Sequence, residues 1–388
     1  MENFVYCTPT KYIFGDGSIK ELKNELIKFG KKVLLTYAGA SIKKIGLYDK
    51  IKELLKDFNI FELNGIEPNP KYYQSVIPGV KICKENNIDV ILAVGGGSVL
   101  DCSKAISVGA CSDAETWDLL IYKEEVKKAL PIVTILTLAA TGSEYDASAV
   151  ISRPETNDKI GYGSSFVYPK VSICDPKYTY SVSKRQTAAG TADAINHILE
   201  QFFTQKSTIL NDGMMVSAIK SLMHNVKIAL KEPDNYQARA ELMYDASLAC
   251  NGIFSNGGST QNWPMHGIEH ALSGYYDITH GEGLAIITPR WMEYVLCEKT
   301  IHRFEILAQL LFNINGRDSY LNAKLLIDEF YKFFESINIP MHLKDLGIDE
   351  SRIKEMAHHI HTCEHLDYEG AFYPLNEEDI EKILINCL

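Results

Sequence analysis

The sequence lacks several features that would place it in other classes of protein. Its nine cysteines stand far apart and form no C-x-x-C pair, a usage typical of a reducing compartment and not of a disulfide framework. It has no apolar run of about 18 residues that could cross a membrane, and it does not open with a signal peptide. We therefore expect a cytoplasmic protein without a membrane partner.

Basic charge is also scarce. The chain has 39 Lys and Arg against 50 Asp and Glu, a net charge of −11, and no basic block. Such a balance disfavours nucleic acid and anionic membranes as partners. With 388 residues, of which 46% are hydrophobic, the chain is long enough for about two domains, each with its own core. These properties are typical of an enzyme that acts on a small molecule.

The first half of the sequence alternates short apolar runs with helical patterns. Residues 32–37, 90–94 and 132–136 are short, mostly apolar runs that predict buried strands, and residues 48–58 predict an amphipathic helix. Strands that alternate with crossover helices predict a parallel sheet in an α/β domain.

The second half has a different character. Strand-like alternation is scarce after residue 180, and helices are predicted at 187–204, 212–230, 236–250, 303–312, 320–337 and 377–388. The change follows Asp175-Pro176. We therefore predict an α/β domain at residues 1–180 and an all-helical domain at residues 181–388.

A glycine run in the α/β half predicts a phosphate site. Gly95-Gly96-Gly97-Ser98 follows a predicted strand and opens a predicted helix, so backbone N–H groups and the positive end of the helix can face an anion. The run is not the usual G-x-G-x-x-G motif, since Leu100 stands at the third glycine, and it lacks the Walker lysine. A tight turn without a ligand is the alternative.

Two further loops follow predicted strands. Residues 137–144 offer hydroxyls beside small residues, and residues 38–44 contain glycine, serine and two lysines but neither Asp nor Glu. An acidic residue at the end of the first strand would hold a free ribose 2′-hydroxyl and repel a 2′-phosphate. Its absence favours NADP(H) over NAD(H).

Histidine and aspartate spacing in the helical half predicts a metal site. Asp193 and His197 lie four residues apart, His266 and His270 repeat that spacing, and His280 follows. On a helix such pairs share one face. Nitrogen and oxygen donors suit Fe(II) or Zn(II) at a catalytic site, although a single histidine pair at this spacing can also occur by chance. A second cluster, at residues 358–365, we interpret as a solvated helix face.

Several motifs occur together in one order along the chain. They are Phe14-Gly-Asp-Gly17, Gly95-Gly-Gly-Ser98 with Asp101 and Lys104, Thr141-Gly-Ser-Glu144, Asp193-x-x-x-His197, and His266-x-x-x-His270 followed by His280. In this combination the sequence resembles the iron-containing (group III) alcohol dehydrogenases and is most similar to their NADPH-dependent butanol dehydrogenase branch. The resemblance extends from about residue 5 to the last helices.

The resemblance implies a dehydroquinate synthase-like fold, with an N-terminal α/β nucleotide-binding domain, an all-helical C-terminal domain, and the cofactor and metal in the cleft between them. It assigns Asp193, His197, His266 and His280 as metal ligands and places His270 beside the nicotinamide and substrate. The residues that it assigns to the nucleotide are Gly39 and Ser41 at the 2′-phosphate, Gly96, Gly97 and Ser98 at the pyrophosphate, and Thr137, Thr141 and Lys159 elsewhere, with Gly95 and Asp101 completing the set. The chain departs from the common pattern at Ala38, Ala40, Ala139 and Ala140.

These assignments predict an NADPH-linked, metal-dependent alcohol dehydrogenase or aldehyde reductase for short- to medium-chain substrates, and we expect a homodimer. Trp263, Tyr275 and Tyr276, near the histidine motifs, indicate an apolar substrate pocket. One alternative is an NAD enzyme like glycerol dehydrogenase or a dehydroquinate synthase, which would need the missing acidic residue at the first strand. The other is a metallohydrolase that uses no nucleotide.

Overall fold

The chain folds into two compact units. The computed structural model describes residues 1–316 and 318–388. One unit comprises Cys7–Ser183 and Glu232–Asn251, and the other comprises Met1–Tyr6, Lys184–Lys231 and Gly252–Leu388. The first is an α/β unit, and the second is built from helices. The segment Glu232–Asn251, which the sequence prediction placed in the helical domain, is thus part of the α/β unit.

A parallel sheet forms the centre of the α/β unit. Its strands are β1 (Lys11–Phe14), β2 (Lys32–Tyr37), β3 (Asn59–Asn64), β4 (Val90–Gly95), β5 (Ile132–Leu136) and β8 (Val171–Cys174), and the remaining strands β6 (Ser148–Arg153) and β7 (Asp158–Gly163) pair as an antiparallel hairpin. The order across the sheet is β1-β8-β5-β4-β2-β3, and every pair is parallel. The predicted parallel sheet is confirmed.

Helices cover both faces of this sheet. They are α1 (Leu22–Leu26), α2 (Ser41–Lys44), α3 (Leu47–Leu54), α4 (Ile77–Asn86), α5 (Gly97–Gly109) and α6 (Thr116–Leu120). Successive residues of β4 point to opposite faces, so Ile91 joins one buried cluster and Leu92 the other. Because both faces are buried, β4 is apolar throughout, which is the pattern from which it was predicted.

The remaining helices include all that were predicted in the second half. They are α7 (Lys184–Phe202), α8 (Ile209–Lys231), α9 (Tyr236–Ala249), α10 (Pro264–Tyr276), α11 (His280–Val295), α12 (Ile301–Phe312), α13 (Ser319–Ser336), α14 (Ile353–Glu364) and α15 (Glu377–Asn386). Helix α9 belongs to the α/β unit, where Ser247 Oγ lies 2.8 Å from Tyr12 Oη and donates to Glu144. Among the described residues, none of the helices combines the length and apolarity needed to traverse a lipid bilayer.

Candidate metal centre and nucleotide loops

Three helices of the helical unit carry the predicted metal ligands. Asp193 and His197 share one face of α7, and His266 lies in the first turn of α10, which starts at Pro264. His280 is the first residue of α11. Proline suits the start of α10 because the first N–H groups of a helix have no partner within it. The side chains at these positions are mostly buried, with His280 the most exposed at 22%.

One carboxylate oxygen lies at the centre of this group. Asp193 Oδ1 is 3.5 Å from Nε2 of His197, 3.8 Å from Nε2 of His266 and 3.7 Å from Nε2 of His280. Donor atoms of Asp193, His266 and His280 all lie within 4.8 Å of one another. The structure therefore brings the four residues of the predicted ligand set together.

The contacts of these atoms fit a bound cation. Asp193 Oδ1 and His266 Nε2 are buried and have no hydrogen-bond partner in the described part of the chain, whereas buried polar atoms are normally paired. A divalent metal ion would satisfy both. The donors are nitrogen and oxygen, which suits Fe(II) or Zn(II).

The electrostatics of the group lead to the same conclusion. Burial opposes ionisation of Asp193, but the surrounding imidazoles outweigh it and lower the pKa of the carboxyl. Burial lowers the pKa of His197 to about 4. Burial also opposes the charging of His266, but the neighbouring carboxylates of Asp193 and Glu200 outweigh it and raise the pKa of that imidazole to about 9. The pocket thus favours a positive charge beside an ionised Asp193, a position that a metal cation can take.

A close helix contact sets this geometry. A β-carbon built at Gly281 would lie 1.9 Å from the backbone oxygen of Ala189. Only glycine at position 281 permits α11 to approach α7 so closely. The approach places His280 opposite Asp193, which lies four residues after Ala189 on α7.

His270 lies beside the predicted metal ligands but outside the group that surrounds Asp193. Its ring centroid is 5.9 Å from that of His280 and 6.4 Å from that of His266. Its Nδ1 is 3.3 Å from Oε1 of Glu364 on α14. The sequence prediction did not include Glu364.

Trp263 forms one wall of the centre. Its ring packs edge-on against His197 and His266, with centroid distances of 6.0 and 5.2 Å. Its backbone is left-handed, with φ at 47°, an unfavourable conformation for a bulky residue that occurs mostly where function requires it. In the C-terminal histidine cluster, α14 carries all but His365, which follows its last residue. His358 is exposed there and bonds Glu377 at 3.0 Å.

The three predicted nucleotide loops follow β2, β4 and β5, which are neighbours in the sheet. Because the strands are parallel, the loops emerge at the same edge. Thr137 N donates to Gly95 O at 2.9 Å, and a β-carbon at Gly97 would lie 2.4 Å from the Thr141 side chain. Two of the loops therefore pack on each other at the start of α5, where Gly96 is the N-cap residue and Ser98 lies in the first turn.

Asp101 and Lys104 tie α5 to the segment that follows β5. Asp101 accepts hydrogen bonds from Ser143 Oγ at 2.6 Å and from Val150 N at 2.9 Å. The buried ammonium of Lys104 lies 2.6 Å from Asp146 Oδ1 and also donates to Ser148 O. Asp101 is thus engaged within the protein, and its predicted contact with the nucleotide remains a prediction.

The loop after β2 is open to solvent. Gly39 and Ser41 are exposed, and a β-carbon at Gly39 would meet no atom within 4 Å. Lys43, one of the two lysines that the sequence analysis noted in this loop, has its ammonium 4.9 Å from the centre of the Tyr48 ring. Lys159, the last predicted contact, is buried in β7 opposite Ser152.

We expect Glu144→Gln to flatten the pH dependence of stability. Burial raises the pKa of Glu144 to about 7 from an ordinary value of 4.5. The folded protein therefore holds this proton more tightly than the unfolded chain, and the resulting stability is complete below pH 4.5 and is lost as the pH rises through about 7. Between about pH 5 and pH 8 the melting temperature should fall several degrees more in the wild type than in the variant, as measured by scanning fluorimetry. Parallel profiles would contradict the assignment.

Two family descriptions match the chain. The model described as "Iron-containing alcohol dehydrogenase" matches residues 9–176, and the one described as "Fe-containing alcohol dehydrogenase family, C-terminal" matches residues 187–388. Between them they cover most of both units.

Similar proteins match the chain over nearly their full length. NADH-dependent butanol dehydrogenase A of Clostridium acetobutylicum is 43% identical, over 99% of both chains. NADPH-dependent aldehyde reductase YqhD of Escherichia coli is 38% identical, over 91% of both. The crystal structure of NADH-dependent butanol dehydrogenase A from Thermotoga maritima aligns with a TM-score of 0.95 at 38% identity, covering 100% of this chain and 99% of the other.

Proposed function

The chain belongs to the iron-containing alcohol dehydrogenase family, and from this premise we propose that it interconverts short- to medium-chain alcohols and aldehydes with NADP(H) and a divalent metal ion. The observation that carries the proposal is the unpaired, buried Asp193 Oδ1 with three imidazole Nε2 atoms around it. Such a donor set suits a metal that assists a reaction at oxygen.

Asp193, His197, His266 and His280 would hold the metal. When bound, the ion supplies Lewis acidity that polarises the substrate oxygen. The protein contributes by holding these donors on three packed helices, so that they need little reorganisation. Trp263 covers one side of the group and limits the access of water.

His270 is the residue to which we assign proton transfer. Reduction of an aldehyde adds a hydride to carbon and a proton to oxygen, and oxidation removes both. The imidazole lies beside the proposed ligands, and Glu364 at 3.3 Å from Nδ1 orients the ring. An imidazole can donate and accept protons at neutral pH, which suits it to both directions of the reaction.

The nucleotide would bind across the loops of the α/β unit. The N-terminus of α5 offers N–H groups without helical partners to the pyrophosphate at Gly96, Gly97 and Ser98. Gly95, Thr137, Thr141 and Lys159 complete the proposed contacts. Asp101 and Lys104 support these contacts by fixing the segment that contains Ser143.

The charged side chains near Gly39 favour a preference for NADP(H). Relatives carry names with either nucleotide, so the preference is argued from the loop of this chain. Lys43 places a positive charge over Tyr48 and Tyr37. Glu62 on β3 accepts from Tyr37 Oη at 2.8 Å, from Tyr48 Oη at 2.9 Å and from Lys52 at 3.1 Å. Because these donors engage both of its oxygens, Glu62 is poorly suited to bind a ribose diol.

Replacing Gly39 by Asp should weaken the binding of NADPH by about 1 to 3 kcal/mol, because the new carboxylate repels the 2′-phosphate. The open space at Gly39 admits the side chain, and NADH should bind equally well or better. The ratio of KM values for the two nucleotides measures the effect. Gly213→Asp, at another glycine with open space, is the control and should leave the ratio unchanged. An unchanged ratio in Gly39→Asp would place the 2′-phosphate elsewhere.

Steady-state rates with a panel of aldehydes, using NADPH and NADH on metal-loaded protein, test the proposed function. We expect turnover of short- and medium-chain aldehydes, with the higher kcat/KM for NADPH. Binding of either nucleotide, measured by titration of nucleotide fluorescence, would exclude a metallohydrolase, because such an enzyme would bind neither nucleotide. Light scattering tests the predicted homodimer.

A further inference from the structure

Two buried glutamates lie behind the proposed metal ligands. Glu200 is on α7 and Glu269 is on α10, and they are 2% and 0% exposed. Neither belongs to the proposed ligand set. Burial of a carboxylate is costly unless it is hydrogen-bonded or paired, so the contacts of these two side chains indicate what they do.

Each glutamate contacts the Nδ1 atom of one histidine. Glu200 Oε1 lies 3.2 Å from His266 Nδ1 and also accepts the backbone N–H of His266 at 2.9 Å. Glu269 Oε2 bonds His280 Nδ1, while its other oxygen accepts from Ser273 Oγ. In both histidines the contacted nitrogen is the one that does not face Asp193.

This arrangement selects a tautomer. A carboxylate is an acceptor, so it keeps a proton on Nδ1 and leaves the lone pair of the neutral ring on Nε2. The Nε2 atoms of His266 and His280 are the ones that lie 3.8 and 3.7 Å from Asp193 Oδ1. His197 differs, because its buried Nδ1 has no hydrogen-bond partner among residues 1–316 and 318–388.

We propose that Glu200 and Glu269 are positioning residues that hold His266 and His280 in their metal-accepting tautomer and so determine how tightly the centre retains its ion. The proposal rests on the proposed function, because it takes Asp193 and the histidines as metal ligands. His197 would coordinate the metal without a carboxylate from the described residues bonded to its Nδ1. Hydride transfer and nucleotide binding do not involve either glutamate directly.

Zinc affinity of Glu200→Gln and Glu269→Gln tests the proposal. Glutamine keeps the shape of the side chain and removes its charge. We expect each variant of the full chain to bind Zn(II) about 10- to 100-fold more weakly in competition with a chelator, with an unchanged KM for nucleotide. Glu282→Gln is the matched control, since Glu282 is equally buried but pairs with Arg185 at 2.5 Å. It should retain the wild-type zinc affinity.

Nitrogen NMR of the zinc-loaded wild-type protein gives a second readout that needs no folded variant. With ¹⁵N-labelled histidine, His266 and His280 should both show a protonated Nδ1 and a zinc-bound Nε2. Wild-type zinc affinity in both glutamine variants, or a zinc-bound Nδ1 on either histidine, overturns the proposal. An inactive wild-type enzyme with weakened zinc binding in the variants would instead contradict the proposed function and leave this inference in place.

Discussion

Asp193→Ala should lose its bound metal and lower kcat/KM for aldehyde reduction by about 10³-fold or more. The expected size follows from several kcal/mol of Lewis-acid stabilisation, each 1.36 kcal/mol being about tenfold in rate. Asp193 Oδ1 faces all three imidazoles, so its removal takes away the carboxylate of the proposed ligand set. Metal content by mass spectrometry and steady-state rates measure the two losses.

His358→Ala is the control for this variant. His358 belongs to the C-terminal histidine cluster and is exposed on α14, so its removal should change neither metal content nor rate. Dialysis of the wild type against a chelator should reproduce the loss, and Fe(II) or Zn(II) should restore activity to the wild type only. Stoichiometric metal and near-normal turnover in Asp193→Ala would show that the ion binds elsewhere.

The grouping of residues at the proposed metal centre could be predicted in part because helix periodicity is visible in a sequence. Asp193 and His197 share a face of α7 by their spacing alone. The same periodicity extends to Glu200, seven residues after Asp193, and this signal could have identified the glutamate. The meeting of α7 with α11 could not be predicted, because it depends on the contact between Gly281 and Ala189, which no local pattern encodes.

The elements of the fold could likewise be predicted where the sequence signal is local, and not where it depends on tertiary contacts. Strands β2, β4 and β5 were predictable because burial on both faces makes them mostly apolar. Strand β3 lies at an edge of the sheet and is only partly buried, so its mixed pattern is weak evidence for a strand. The packing of α9 with the α/β unit depends on Gly142, where a β-carbon would lie 3.0 Å from Ala246 O, a contact that appears only after folding.

His270→Phe separates proton transfer from metal binding within one helix. The four-residue spacing of His266 and His270 does not distinguish their roles. The structure gives them different contacts, since Asp193 Oδ1 lies 3.8 Å from Nε2 of His266 whereas Nδ1 of His270 contacts Glu364. We expect His270→Phe to keep its metal and its nucleotide affinity but to lower kcat by about 10²-fold, the usual contribution of a general acid or base.

His266→Ala is the matched comparison on the same helix and should lose the metal. Metal content therefore separates the two variants if the assignment is correct, whereas kcat falls in both. Glu364→Gln should lower kcat less than His270→Phe, because it removes the group that orients the ring and keeps the ring itself. Loss of metal in His270→Phe with retention in His266→Ala would reverse the two roles. An unchanged kcat in His270→Phe would leave the residue a structural one, because a proton donor cannot be replaced by phenylalanine without a loss of rate.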